Sequence, residues 1–263
     1  MGLQLGFTNR IVTATLTSSS QDSTFVRDNL KTPQRPFYPW KATVATDSWV
    51  VCDFGSATSI DLVGLIHANF ATVRIQGHAT DSWGSPSYNS GDMTITKNPW
   101  NGRYQLVNIP SGFNYRYLRI FIPTQTPVDG ASVFSLGGLW AGARVSVGEH
   151  FRWGSQITTM HPRQDVSPPH GGWSSRLKLG EPFVRMDVTI PAQTDATQPA
   201  RNDALDTWLG LQQQMWEAGH FLLFSNLVDD SQGWIMRLTN DPAWTVDAGL
   251  SILRAQLEEA MTA

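Results

Sequence analysis

Residues 49–66 constrain this chain more than any other stretch. Trp49-Val-Val-Cys-Asp-Phe-Gly55 and Ser59-Ile-Asp-Leu-Val-Gly-Leu-Ile66 are apolar runs rich in β-branched residues, with an Asp-Phe-Gly turn between them. That pattern predicts two strands of a β-sandwich joined by a tight connection. In the first run, period-two alternation puts Trp49, Val51 and Asp53 on one face and Val50, Cys52 and Phe54 on the other. Both faces are apolar until Asp53, so a buried strand is expected that ends at Gly55, with Asp53 turned toward the loop that follows.

A chain of 263 residues fits one large β domain or two of ordinary size. Charged residues are only 16%, against 22 Gly, 15 Pro and 11 Trp, which favours a turn-rich β protein with aromatic packing. The net charge of -3, with Lys and Arg scattered, leaves no footprint for nucleic acid. Cys52 is the only cysteine and sits in an apolar strand, so neither an intramolecular disulfide nor a multi-cysteine zinc site is available. The start, Met1-Gly-Leu-Gln-Leu-Gly-Phe7, lacks the basic and apolar regions of a secretion signal. No window reaches the ~20 apolar residues of a membrane helix. The expectation is a chain made in a cytosol that stays soluble, with no membrane insertion.

Ile11 to Leu16 reads as a strand and Thr17 to Asp22 as a polar loop, followed by an extended segment held by Pro33, Pro36 and Pro39. Ala71 to Gly77, Arg103 to Ile109 and Tyr115 to Ile122 alternate as strands, around a Gly, Ser and Pro-rich loop at Asp81 to Gly91. In Tyr115 to Ile122, Tyr117, Arg119 and Phe121 share one face and Leu118, Ile120 and Ile122 the other. Short strands at this spacing indicate a sandwich.

With these residues in view the first half resembles the discoidin-type, galactose-binding-like jelly roll. The likeness rests on Asn29-Leu30 and Trp40, Trp49 to Gly55, Ile60 to Leu65, Val73 to Gly77, Tyr117-Leu-Arg-Ile120 and Gly137-Gly-Leu-Trp140, and covers about residues 10 to 142. The paired terminal cysteines of the extracellular members are missing.

A boundary is expected near Ala141 to Arg144, giving domains at 1–142 and 143–263. Beyond it, Arg144 to Gly148 restarts a short strand. Met160 to Gly172, rich in Pro, His and Gly, reads as an exposed loop or arm. Arg176 to Leu179 and Phe183 to Ile190 are strands. A helix is expected at about 203–218, with Asn202 or Asp203 as N-cap, Gly219 as its stop and Leu205, Trp208, Leu209, Gln212, Met215 and Trp216 along one face. His220 to Val228 and Trp234 to Leu238 follow as a hairpin, while Leu250 to Met261 fits either a helix or a last strand. This order resembles the β-sandwich-plus-helix unit of phage tail-tube and distal tail proteins, carried by Ala204 to Gln212 followed by Phe221-Leu-Leu-Phe224. The combination with a discoidin-like module is similar to accessory-domain distal tail or baseplate proteins of long-tailed phages. That resemblance implies a virion protein at the tail tip, with copies of itself in a hexameric ring, or a trimeric one, between the tail tube and the tip or hub proteins.

The search for chemistry yields little. None of His67, His78, His150, His161, His170 and His220 has a metal-ligand spacing; His161, His170 and Asp165 share the long loop and fit a solvated or contact-forming group better than a chelate. There is no Gly-x-Ser-x-Gly elbow and no phosphate loop, and Asp53, Asp61, Asp81 and Asp92 lie at or near turns, where Asp bonds the backbone. No enzyme, metal or cofactor is therefore expected. Trp83, Tyr88 and Trp100 fall in loops and are the candidates for a glycan or protein contact, with Trp40 assigned to the core. His161, Arg163, Asp165 and His170 are the candidate assembly arm. The leading expectation is a structural component of a phage tail tip; a carbohydrate-binding module for host surface glycans is the alternative.

Overall fold

In a computed structural model of the chain, the residues described are 4–35, 37–98, 104–108, 110–146, 156–160, 163–166, 175–178, 183–192, 220–224, 233–239, 243–247 and 250–259. The first half holds β1 (Gln4–Gly6), β2 (Thr15–Ser18), β3 (Trp40–Lys41), β4 (Ser48–Ser59), β5 (Leu62–Ala68) and β6 (Thr72–His78). It continues with β7 (Tyr88–Asn89), β8 (Met93–Thr94), β9 (Thr96–Lys97), β10 (Tyr104–Asn108), β11 (Asn114–Ile122) and β12 (Ser135–Gly142). A six-stranded sheet runs β2-β4-β11-β6-β7, with β8 also on β6, and a five-stranded sheet runs β3-β12-β5-β10-β9. The long strands alternate between them in sequence: β4, β6 and β11 in one, β5, β10 and β12 in the other. The result is an antiparallel jelly-roll β-sandwich.

Alternation builds its core. Val50 and Cys52 of β4, Val73 and Ile75 of β6, and Leu118, Ile120 and Ile122 of β11 face Val63, Leu65, Leu106, Leu136 and Leu139 of the opposite sheet, all buried. Trp40 is fully buried, as expected, with its indole N–H donating to the Ser20 carbonyl at 3.1 Å. Phe70 and Phe134 meet edge to face with centroids 6.0 Å apart. Each such large side chain contributes about 1.5–3 kcal/mol through burial.

Two local expectations are corrected. Residues 11–16 are not one strand: Arg10–Val12 is a 3₁₀ turn capped by Asn9, whose Oδ1 accepts from Ile11 N at 3.1 Å and from Ala141 N at 3.1 Å. A side chain that caps a turn and ties it to β12 outweighs the β-branched run. Nor does the strand at 49 stop at Gly55. It runs on to Ser59, because Asp53 pairs with Tyr117 and Thr58 with Tyr115 while the residues between bulge out, Gly55 taking φ 79°. Asp53 does turn to that bulge, accepting the Gly55 N–H at 2.7 Å.

The second half contributes β13 (Val145–Ser146), β14 (Gln156–Met160), β15 (Arg163–Val166), β16 (Ser175–Lys178), β17 (Phe183–Ala192), β18 (Phe221–Phe224), β19 (Gly233–Leu238), β20 (Ala243–Asp247) and β21 (Leu250–Glu259). An eight-stranded antiparallel sheet runs β13-β1-β18-β19-β21-β17-β14, with β20 on β21. The β18–β19 hairpin is as expected, and the ambiguous last segment is a strand. Extensive pairing with β17 and β20 decides it over the helical spacing of Leu250, Leu253 and Leu257. The expected helix at 203–218 lies outside the described residues. Residues 4–6, from the start of the chain, form β1, which inserts between β13 and β18 of this second sheet. The segment read as a loop at 160–172 is partly strand: β15 pairs with β16 in a ribbon of its own, Arg163 opposite Lys178 and Asp165 opposite Arg176.

The outer face of the five-stranded sheet is covered. Leu62 and Ile66 of β5, Val107 of β10 and Trp140 of β12 form a buried cluster with Ile235 of β19. The outer face of the six-stranded sheet carries polar and aromatic side chains, among them Arg74, Gln76, His78, Tyr117, Arg119 and Phe121.

Candidate functional site

Register places that outer face in rows. Since Leu16, Cys52, Leu118 and Ile75 point inward, their strand neighbours point outward. His78, Tyr117, Asp53 and Thr15 form one row across β6, β11, β4 and β2, followed by Gln76, Arg119, Val51 and Thr17, then Arg74, Phe121 and Trp49. Guanidinium, amide, imidazole and aromatic groups thus alternate across one face.

Arg119 is at its centre. Its Nε donates to Gln76 Oε1 at 2.7 Å, and its guanidinium carbon lies 4.5 Å from the Trp83 ring centroid and 5.0 Å from that of Phe121. Arg74 reaches Phe121 from the other side, 5.5 Å from the centroid, and forks onto Asp92, Nη2 donating to Oδ2 at 3.2 Å. Arg116 makes the corresponding fork onto Asp53 and lies 4.9 Å from the Tyr117 ring.

Trp83 comes from the loop after β6 and folds back over this face. Its indole N–H donates to Asp81 Oδ1 at 2.6 Å, and its ring meets His78 edge-on with centroids 6.5 Å apart. His78 is held in turn, its Nδ1 accepting the Thr80 N–H at 3.1 Å. A short polar loop thereby fixes a half-buried indole beside Arg119, Gln76 and His78. Electrostatics follow the pairing. Arg116 hydrogen bonding holds the Asp53 carboxyl below the usual aspartate range, and Arg74 does the same for Asp92. Burial pulls Arg119 down, opposed by the nearby charge of Asp81.

Of the aromatic candidates, Trp83 sits on this face. Tyr88 packs instead on the core, edge to face with Phe113 at 5.5 Å, and burial raises its phenol. Trp100 lies outside the described residues. Of the candidate arm, Arg163 and Asp165 are in β15 and His161 and His170 lie outside the described residues. Sequence reasoning passed over Arg119, Gln76 and His78 as site residues, although the alternation that grouped Tyr117, Arg119 and Phe121 was a usable signal: three large planar side chains on a strand's outward face. Among the described residues, no three His, Cys, Asp or Glu side chains converge as a metal site would require, and no helix is long and apolar enough to cross a membrane.

The fold therefore defines a protein of the jelly-roll β-sandwich class with an aromatic, guanidinium-lined sheet face. No protein family's sequence model and no curated protein matches the chain. Similar solved structures include a chitosan-binding module from a chitosanase/glucanase of Paenibacillus sp. IK-5, at 18% identity and TM-score 0.39, covering 52% of this chain and 99% of the module. A fucose-binding module of Streptococcus pneumoniae matches at 12% identity and TM-score 0.40, covering 52% and 98%. XRCC1 bound to the catalytic domain of DNA polymerase β matches at 17% identity and TM-score 0.35, covering 48% and 93%. A fold does not by itself imply a function, which has to be argued from the side chains.

Proposed function

We propose that the chain is a non-catalytic binding protein whose jelly roll holds a carbohydrate on the outer face of its six-stranded sheet. The observation that carries this reading is the placement of Trp83: an indole tied at its N–H to Asp81 and set beside Arg119, Gln76 and His78. Pyranose rings have an apolar face that packs on an indole and a rim of hydroxyls that bonds planar polar side chains, and this face supplies both. Held in place before a ligand arrives, these groups lose little freedom on binding. A glycan array probed with the full chain and with Trp83→Ala tests the reading. Binding that disappears in the variant is expected; no signal, or an unchanged one, contradicts it.

A second reading places the chain in a phage tail tip as a ring-forming structural protein of the virion, next to tail-tube and hub proteins. The two-stranded β15–β16 ribbon favours it, because a ribbon outside the main sheets is suited to reach a neighbouring copy. Light scattering of the full chain and of a variant lacking residues 161–178 tests this. Ring mass that falls to monomer mass on deletion is expected, and a wild-type chain that stays monomeric together with its tube and hub partners contradicts it.

A further inference from the structure

Three arginines line the face, and their partners differ. Arg74 is matched by Asp92 and Arg116 by Asp53, each carboxylate engaging its guanidinium in a two-point fork. Arg119 has no such partner among the described residues. Its Nε is taken by the neutral Gln76 amide oxygen, and among the described residues no carboxylate lies within ion-pair distance of it. Nη1 and Nη2 donate to no acceptor among the described residues. Asp81, the nearest acid to act on it, does so through space while its Oδ1 is occupied by the Trp83 indole. The half-buried guanidinium is pinned between the Trp83 and Phe121 rings, so its orientation is set before any ligand binds.

A half-buried guanidinium with its side-on edge used and its two terminal nitrogens free is a receptor for a carboxylate in the end-on, two-point geometry. Resting on the carbohydrate reading above, we propose that the preferred ligand is an acidic saccharide, a uronate or sialate, whose carboxylate docks on Arg119 while its ring packs on Trp83. Arg74 and Arg116, already neutralised, frame the subsite without competing for the anion.

The test is calorimetric titration of the full chain at low salt with two matched pairs: oligogalacturonate against its methyl ester, and sialyllactose against lactose. At least one acidic member should bind about tenfold tighter than its neutral counterpart, the gain of one charge-assisted contact. Arg119→Gln should abolish that ratio, and Asp81→Asn, which keeps an acceptor oxygen for the indole and removes the opposing charge, should increase it. Circular dichroism confirms that each variant is folded; should Arg119→Gln not fold, the Asp81→Asn ratio decides. Neutral and acidic sugars binding equally, or a preference that survives Arg119→Gln or does not rise in Asp81→Asn, overturns the acidic assignment and leaves sugar binding standing. Failure of every member, together with a blank glycan array, overturns both.

Discussion

Asp53 and Arg116 are joined by two parallel hydrogen bonds, Nε to Oδ1 at 2.7 Å and Nη2 to Oδ2 at 2.8 Å, across the point where β4 and β11 lose regular register. Asp53 Oδ1 also accepts the Gly55 N–H, so one carboxylate pins both sides of the bulge. Because Arg116 depresses the folded-state pKa of Asp53, the unfolded chain takes up the proton first as pH falls. The stabilisation is therefore fully present above the unfolded value of about 3.9 and is lost as pH drops through the lower folded value. Asp53→Asn should lower Tm at pH 7, with the gap to wild type closing as the solution is acidified below about pH 4. A gap that stays constant down to pH 2 in thermal melts would contradict this.

Gly77 makes room for an aromatic group. A Cβ on it would lie 2.5 Å from Phe113 Cε2 and 2.7 Å from Tyr115 Cδ2, and Phe113 is wedged edge-on between Tyr88 and Tyr115. Gly77→Ala should cost about 1–3 kcal/mol by overpacking, read as a lower denaturation midpoint at unchanged m-value. A neutral substitution would show that the triad can move aside.

Cys52 is fully buried in the core, and desolvation raises its thiol well above the ordinary range. A thiol-specific reagent should therefore label the native protein only at the rate of unfolding and label it at once in denaturant. Rapid stoichiometric labelling of the native chain would contradict that placement.

Where the sequence spoke for itself, it did so through alternation. The faces of β11 and β17 follow the pattern: Leu118, Ile120 and Ile122 are buried, Val184 and Met186 are buried, and Asp187 is exposed. Long-range contacts overrode it elsewhere. Asn9 reaches residues 139 and 141, and that tie turned an apparent strand into a 3₁₀ turn. The bulge that carries β4 past Gly55 depends on Arg116, distant in sequence. β1 leaves its neighbours for a sheet built mostly from the last third of the chain, a pairing that a three-residue strand cannot announce. The site was half legible: Trp83 stood out as a loop aromatic, while Gln76, His78 and Arg119 emerge only once register sets β6 beside β11.

Carbohydrate binding on the sheet face is read out by amide and side-chain chemical-shift mapping of the isotopically labelled chain, titrated with the tightest-binding array glycan. The Trp83 indole N–H and Arg119 Nε–H resonances should move together with the amides of Gln76 and His78. Shifts confined to the loops at the ends of the sandwich, with the Trp83 and Arg119 signals unmoved, would contradict it.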